Sequence, residues 1–244
     1  MKKLFFRLFS CLLFCSILLV PSADAIFHAT KDGDILYEAK WSGKKEPLLM
    51  AANSSDQSDT YAKAEALFKE KKYDEVIQLI AGLAYAEPNN TKANILLAKA
   101  QVEKCAILKA KGDKSYRTLI YQPYKTARRL HKLDKTNPEL YYIVAKSLLI
   151  NHRSQKSVRT TKKALYFAPD NPDYLVLLGD GCVALAEGQQ NSQQINNLLS
   201  LAQDAYEKAI VFRKDDEEFK TNVEKKIKEL SEIKKSERGT TLEE

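Results

Sequence analysis

The sequence predicts an all-α protein: an α-solenoid of about four helix–turn–helix units, closed by a C-terminal capping helix. Three observations carry this. From Thr60 onward, glycine and proline are few and mostly fall between segments with helical apolar spacing. Pro138 and Pro172 stand 34 residues apart, each after an asparagine and each opening an aromatic-apolar run, NPELYYIVAKSLL and NPDYLVLLGDGCV. After Asp216, the apolar residues Phe219, Val223, Ile227, Leu230 and Ile233 recur every three or four positions, the mark of an amphipathic helix.

Taken in chain order, residues 1–25 have the layout of a secretory signal peptide. Lys2, Lys3 and Arg7 precede an apolar run from Leu8 to Val20, and Ala23-Asp24-Ala25 is a small-x-small cleavage pattern. The run is shorter than the ~20 residues a spanning helix needs. The alternatives are an uncleaved membrane anchor and a lipoprotein modified at Cys11. Residues 26–56 form an extension or linker. Strand-type alternation occurs only at 34–41, where Ile35, Tyr37, Ala39 and Trp41 share one side, and NSSDQSD at 53–59 is polar. The segment holds the only tryptophan and reads as an N-terminal cap on the stack, a docking segment, or a disordered leader.

Residues 57–216 hold the units, at 57–90, 91–137, 138–171 and 172–216. The punctuation is physical. Asparagine caps a helix by accepting a bond from a free backbone N–H, and proline suits the first helical position, where its missing N–H would be unpaired. Pro88 and Pro169 do the opposite, since proline cannot continue the helix before it. APDNP at 168–172 is therefore a stop followed at once by a capped start. Two units are long: the one from Thr91 by 13 residues and the one from Pro172 by 11, both between first and second helix. The excess is either loop or added helix. Residues 217–235 supply the polar-faced terminal cap that stacked repeats need, and 236–244 a flexible tail.

These units resemble the tetratricopeptide repeat (TPR) family, a 34-residue helix–turn–helix repeat with small residues at helix crossings and a proline near its end. The matching small residues are Ala145, Ser157 and Ala164, closed by Pro169, then Gly179, Ala202 and Ala209. In the first unit Ala64 and Pro88 match, while Val76 and Leu83 are larger than the pattern prefers. Small residues are required because packed helices approach to ~8–10 Å. The resemblance implies a binding scaffold whose first helices line a groove. By repeat position the candidate groove residues are Tyr61, Phe68, Lys92, Lys99, Tyr142, Lys146, Asp173 and Asp180, with Glu65, Ile95, Val102, Leu149 and Val176 among them. Tyr61 and Glu65 occupy places where some members hold a peptide carboxylate, so that mode is rejected. Tyr142 and Ile95 are equally readable as inter-repeat core.

The net charge is +7, and +5 if residues 1–25 are removed. Lys and Arg read as interleaved with Asp and Glu, a solvated-face pattern and not a nucleic-acid footprint. Cys105 and Cys182 fall in units separated by another, beyond the ~7 Å reach of a disulfide, so both should be buried free thiols. His28, His131 and His152 form no metal spacing, and no phosphate loop or nucleophile elbow occurs. The expectation is a non-enzyme without cofactor or metal, exported and most simply periplasmic, binding another protein or peptide. Nucleic acid is not expected, and membrane contact is allowed but not required. The rival is a membrane-anchored component of an envelope assembly or secretion machinery.

Overall fold

The computed structural model describes residues 26–29, 35–38 and 54–240, with side chains from 58 to 234. The chain divides into two units, Met1–Leu49 and Met50–Glu244. The first holds an antiparallel pair, β1 (Ile26–Ala29) and β2 (Ile35–Glu38), in the register Ile26 opposite Glu38 and Ala29 opposite Ile35. Strand β2 coincides with the period-two stretch. The expectations for residues 1–25 and for Trp41 lie outside the described residues.

The second unit is helical throughout its described length. It runs α1 (Ser54–Lys69), α2 (Tyr73–Ala86), α3 (Thr91–Ala110), α4 (Tyr116–Leu119), α5 (Tyr121–Leu130), α6 (Pro138–Ile150), α7 (Ser154–Phe167), α8 (Pro172–Ala186), α9 (Ser192–Phe212) and α10 (Glu217–Thr240). Successive helices pack as neighbours, and the first helices α3, α6 and α8 also touch each other in turn, which makes the stack a solenoid.

Capping fixes where helices begin. The Oδ1 atoms of Asn90, Asn137, Asn171 and Asn191 accept from the backbone N–H groups of Ala93, Glu139, Asp173 and Gln194. The first helices of units one to three end alike. Lys71 (φ 61°), Gly112 (φ 76°) and His152 (φ 56°) are left-handed, and the next residue's N–H turns back to Leu67, Leu108 and Leu148. Lys71 and His152 occupy the same repeat position. Neither is a glycine, so two residues with side chains accept a costly conformation to close the turn.

The two long units solve their excess differently. In the second, the first helix lengthens to 20 residues against 13 in α6, and the short α4 follows with a small core of its own: Tyr116 and Ile120 pack with Val102, Cys105 and Ile150. In the fourth, the second helix lengthens, so that α9 spans 21 residues. Helix α10 also runs to Thr240, past the end of its apolar pattern, because no proline interrupts 217–240.

At the crossings, Ala64, Ala145, Ser157, Ala164, Ala202 and Ala209 have no exposed surface. Ser157 Oγ donates to the Ala145 carbonyl at 2.8 Å and stitches α7 to α6. Gly179 is the tightest point: a Cβ there would lie 2.3 Å from the Tyr206 ring. Gly181 presses on Val158, where a Cβ would lie 2.9 Å from Cγ2. Asn94 is a buried polar hub. Its Nδ2 donates to the Asn90 carbonyl at 2.9 Å and its Oδ1 accepts from Arg129, which also bonds the Pro88 carbonyl.

The ends of the stack approach one another. Lys71, in the turn after α1, pairs with Glu218 in the first turn of α10. Tyr73, the first residue of α2, is half-buried and lies within electrostatic reach of Glu103, Lys146 and Asp173 on three successive first helices.

Candidate peptide groove

The groove candidates sit on α1, α3, α6 and α8, and the structure joins most of them into a chain of contacts. On α1, Tyr61 is partly buried; burial first, then Glu65 one turn on, push its hydroxyl up to about 12. Phe68 meets Tyr73 edge to face at 5.3 Å, and Lys99 Nζ lies 5.4 Å from the Phe68 ring centre. Lys99 then pairs with Glu139 of α6 at 2.6 Å. Lys92 is exposed and has no ion pair among the described residues.

One turn further along α3, Glu103 receives two donors from α6. The Tyr142 hydroxyl donates to it at 3.1 Å, and Lys146 forms an ion pair with it while also donating to the Tyr142 oxygen at 3.1 Å. Tyr142 is only 8% exposed and belongs to the central hydrophobic cluster with Ile95, Leu140 and Tyr174. Its ring stacks on Tyr174 of α8 at 5.2 Å. Burial, then Glu103, holds its hydroxyl well above the usual tyrosine range. Tyr142 and Ile95 are therefore inter-repeat core and not exposed groove lining.

On α8 the two aspartates are engaged by the end of the stack. Arg213, just after α9, donates two bonds to Asp173, at 3.0 and 2.7 Å. Asp180 accepts from the Tyr206 hydroxyl and from Lys226 of α10, both at 2.7 Å. Of the eight candidates, only Lys92 stands apart from these contacts, and Tyr61 hydrogen-bonds within its own helix, to Glu65.

Glu103, Glu139, Tyr73 and Tyr174 contact or neighbour the candidates, and repeat position alone did not supply them. Glu103 is one turn from Lys99 on α3, a visible cue. Glu139 follows Pro138 in a helix first turn, where an acidic residue is expected anyway, and its pairing with Lys99 spans 40 residues. The chemistry of the face follows. Apart from Lys92, its cations are paired with anions; the rings of Tyr61, Phe68 and Tyr73 are partly covered, and those of Tyr142 and Tyr174 are buried. An acidic ligand at Lys99 or Lys146 has to displace Glu139 or Glu103 first. An uncharged or mixed peptide that packs on the partly covered rings of Tyr61, Phe68 and Tyr73 displaces none of these pairs.

Two shallow depressions, of about 400 and 330 Å³, lie elsewhere, along the edge made by the first-to-second-helix turns. One includes His152 and Gly188, the other Tyr121 and Asn151. The short turn of the third unit is thus a valley between the two long ones. Cys105 and Cys182 are buried and free. Burial raises their thiols to about 12 and about 11, so neither is a thiolate at neutral pH. Among the described residues no group of side chains could hold a metal, and no helix is long and apolar enough to cross a membrane.

No protein-family model matches the sequence, and no curated protein is similar to it. Solved structures are. The chain resembles TTC0263, a thermophilic TPR protein in Thermus thermophilus, at 17% identity and a TM-score of 0.53, over 71% of this chain and 82% of that one. It also matches MamA from Desulfovibrio magneticus RS-1 at 16% identity over 73% of this chain and 97% of the other, but the TM-score of 0.42 is too low to add to the argument. With the capped 34-residue period and the buried small residues at its crossings, the first of these likenesses identifies the helical unit as a tetratricopeptide-repeat fold.

Proposed function

We propose that the protein is an exported binding scaffold of the cell envelope that takes a peptide segment of another protein along its first-helix face, without catalysis. The observation that carries this reading is the cluster Tyr61, Phe68 and Tyr73 of the first unit, partly covered aromatic rings that lie beside ion pairs already satisfied on the next units. Aromatic platforms offer contact area at low entropic cost, and neutralised charges disfavour strongly charged ligands. Export rests on the basic-apolar-small layout of residues 1–25.

The test is selection of displayed random peptides on the full chain. Enriched peptides should lose binding to a Phe68→Ala/Lys99→Ala variant and keep it for Lys163→Ala on the opposite side. Enriched peptides that bind both variants equally, or no enrichment at all, would sink the reading. A second reading, a membrane-anchored envelope component, is favoured by the same apolar run Leu8–Val20. The intact mass of the chain purified from its native envelope separates the two: loss of the first 25 residues means a released scaffold, and the full mass means an anchor.

A further inference from the structure

Charge is not evenly mixed along this chain. Residues 109–163 hold fifteen Lys and Arg against three Asp and Glu, a net +12 that exceeds the +7 of the whole sequence. Much of this charge lies on two second helices. On α5, Lys125 and Arg128 are exposed at helical spacing, with Lys132 exposed in the turn just after it, and on α7 Arg159, Lys163 and Tyr166 are exposed at helical spacing. None of these five cations has an ion pair among the described residues; in the 109–163 stretch only Lys146, on the inner face, has one. The positions of Arg159 and Lys163 are Gln78 and Gly82 on α2, and Asp204 and Lys208 on α9. The basic face is confined to the two middle units.

A row of rings that passes through α6 links the two helices. At their C-terminal ends His131, Tyr141 and Phe167 stand in a row, with ring centres 4.7 and 5.8 Å apart. Beside that row the apolar side chains stay out in solvent: Leu133 is 64% exposed and Tyr166 81%. Like charges three and four residues apart on one helix repel. This face therefore holds its cations against their own repulsion, with no internal anion to relieve it.

We propose that the outer face of α5 and α7 docks on an anionic phospholipid bilayer. Lipid phosphates meet Lys125, Arg128, Lys132, Arg159 and Lys163, while Tyr166 and Leu133 enter the headgroup layer. Basic residues beside exposed aromatic and aliphatic tips are the composition of a membrane interface. On the export reading proposed above, the apolar run Leu8–Val20 brings the chain to a membrane.

Sedimentation of the full chain with vesicles tests this, comparing phosphatidylcholine alone with vesicles that contain about one third phosphatidylglycerol. The apolar run can insert into either, so the ratio is the reading. The wild type should partition onto the anionic vesicles at least about tenfold better, with the advantage falling as salt rises. Lys125→Glu/Arg128→Glu/Arg159→Glu/Lys163→Glu should bring the ratio near one while its helical circular dichroism and melting stay as in the wild type. The same four positions changed to Gln serve if the reversal unfolds the chain. Lys63→Glu/Lys69→Glu/Lys208→Glu/Lys228→Glu removes equal charge from elsewhere and should keep most of the ratio. A wild-type ratio of one overturns the proposal, as does an equal loss in both charge variants. Capture of soluble polyglutamate by a wild type that ignores anionic vesicles would assign the face to an acidic protein instead.

Discussion

On the inner face of the stack Lys99, Lys146 and Asp180 each meet an opposite charge from a neighbouring element. On the outer face Arg159, Lys163 and Lys125 meet none among the described residues. The residue types are the same and the surroundings differ. Inside, Glu103 and Lys146 are each about one-fifth exposed and share a tyrosine hydroxyl, so their contacts fix how α6 lies against α3. Outside, water screens each cation, and its position on the helix costs the fold little. Paired charge here sets internal register, whereas unpaired charge is left for something outside the chain.

Substitutions can break this contrast, beginning with the most costly. Tyr142→Ala removes a buried ring, its stack on Tyr174 and both polar contacts, and should destabilise by about 3–5 kcal/mol in urea unfolding. A loss below about 1 kcal/mol would show that the inner face is not structural at that point. Gly179→Leu forces side-chain atoms into the space held by the Tyr206 ring and should cost about 1–3 kcal/mol; an unchanged melting temperature would contradict the crossing geometry. Glu103→Ala strands Lys146 and the Tyr142 hydroxyl and should cost about 1–3 kcal/mol. A further change of Lys146 to Met should recover part of that loss, because the stranded cation is removed. Lys163→Ala on the outer face should move stability by no more than about 0.5 kcal/mol.

Alkaline pH sharpens the comparison from another side. The folded state raises Cys105 to about 12 and Cys182 to about 11 from an ordinary thiol value, and Tyr61 to about 12. Groups raised in the folded state stabilise it fully below their ordinary values and lose that contribution as pH rises through the raised ones. Melting temperature should therefore be level at neutral pH and fall from about pH 9 upward. A flat profile to about pH 11 would contradict the burial of these groups. Alkylation of native protein near neutral pH should leave Cys105 and Cys182 unmodified, and denatured protein without reductant should accept label on both.

Much of the scaffold could be read from residues alone because its cues are local. Asn137-Pro138 and Asn171-Pro172 each state a helix start within two residues, and both caps form as that chemistry requires. The fate of the long turns could not be read, because α4 forms only where Tyr116 and Ile120 find Val102, Cys105 and Ile150. Repeat position placed most of the groove candidates on one connected surface, yet it did not supply their partners. Lys99 to Glu139 and Lys146 to Glu103 span about 40 residues and depend on how adjacent units are rotated. The basic outer face is a different case. Reading Lys and Arg as interleaved with acids holds for the whole chain but not for residues 109–163, where a local count already shows the excess.

The contact between Lys71 and Glu218 gives the stack a mechanical character. A solenoid behaves as a spring, and this pair acts as a latch between its two free ends. The latch is weak: its side chains are 60% and 71% exposed, and an ion pair so wet contributes at most about 1 kcal/mol. Thermal energy alone releases such a clasp often, and dissolved salt releases it more often. Rising ionic strength should therefore loosen the join between the two ends of the stack while leaving its packed crossings intact.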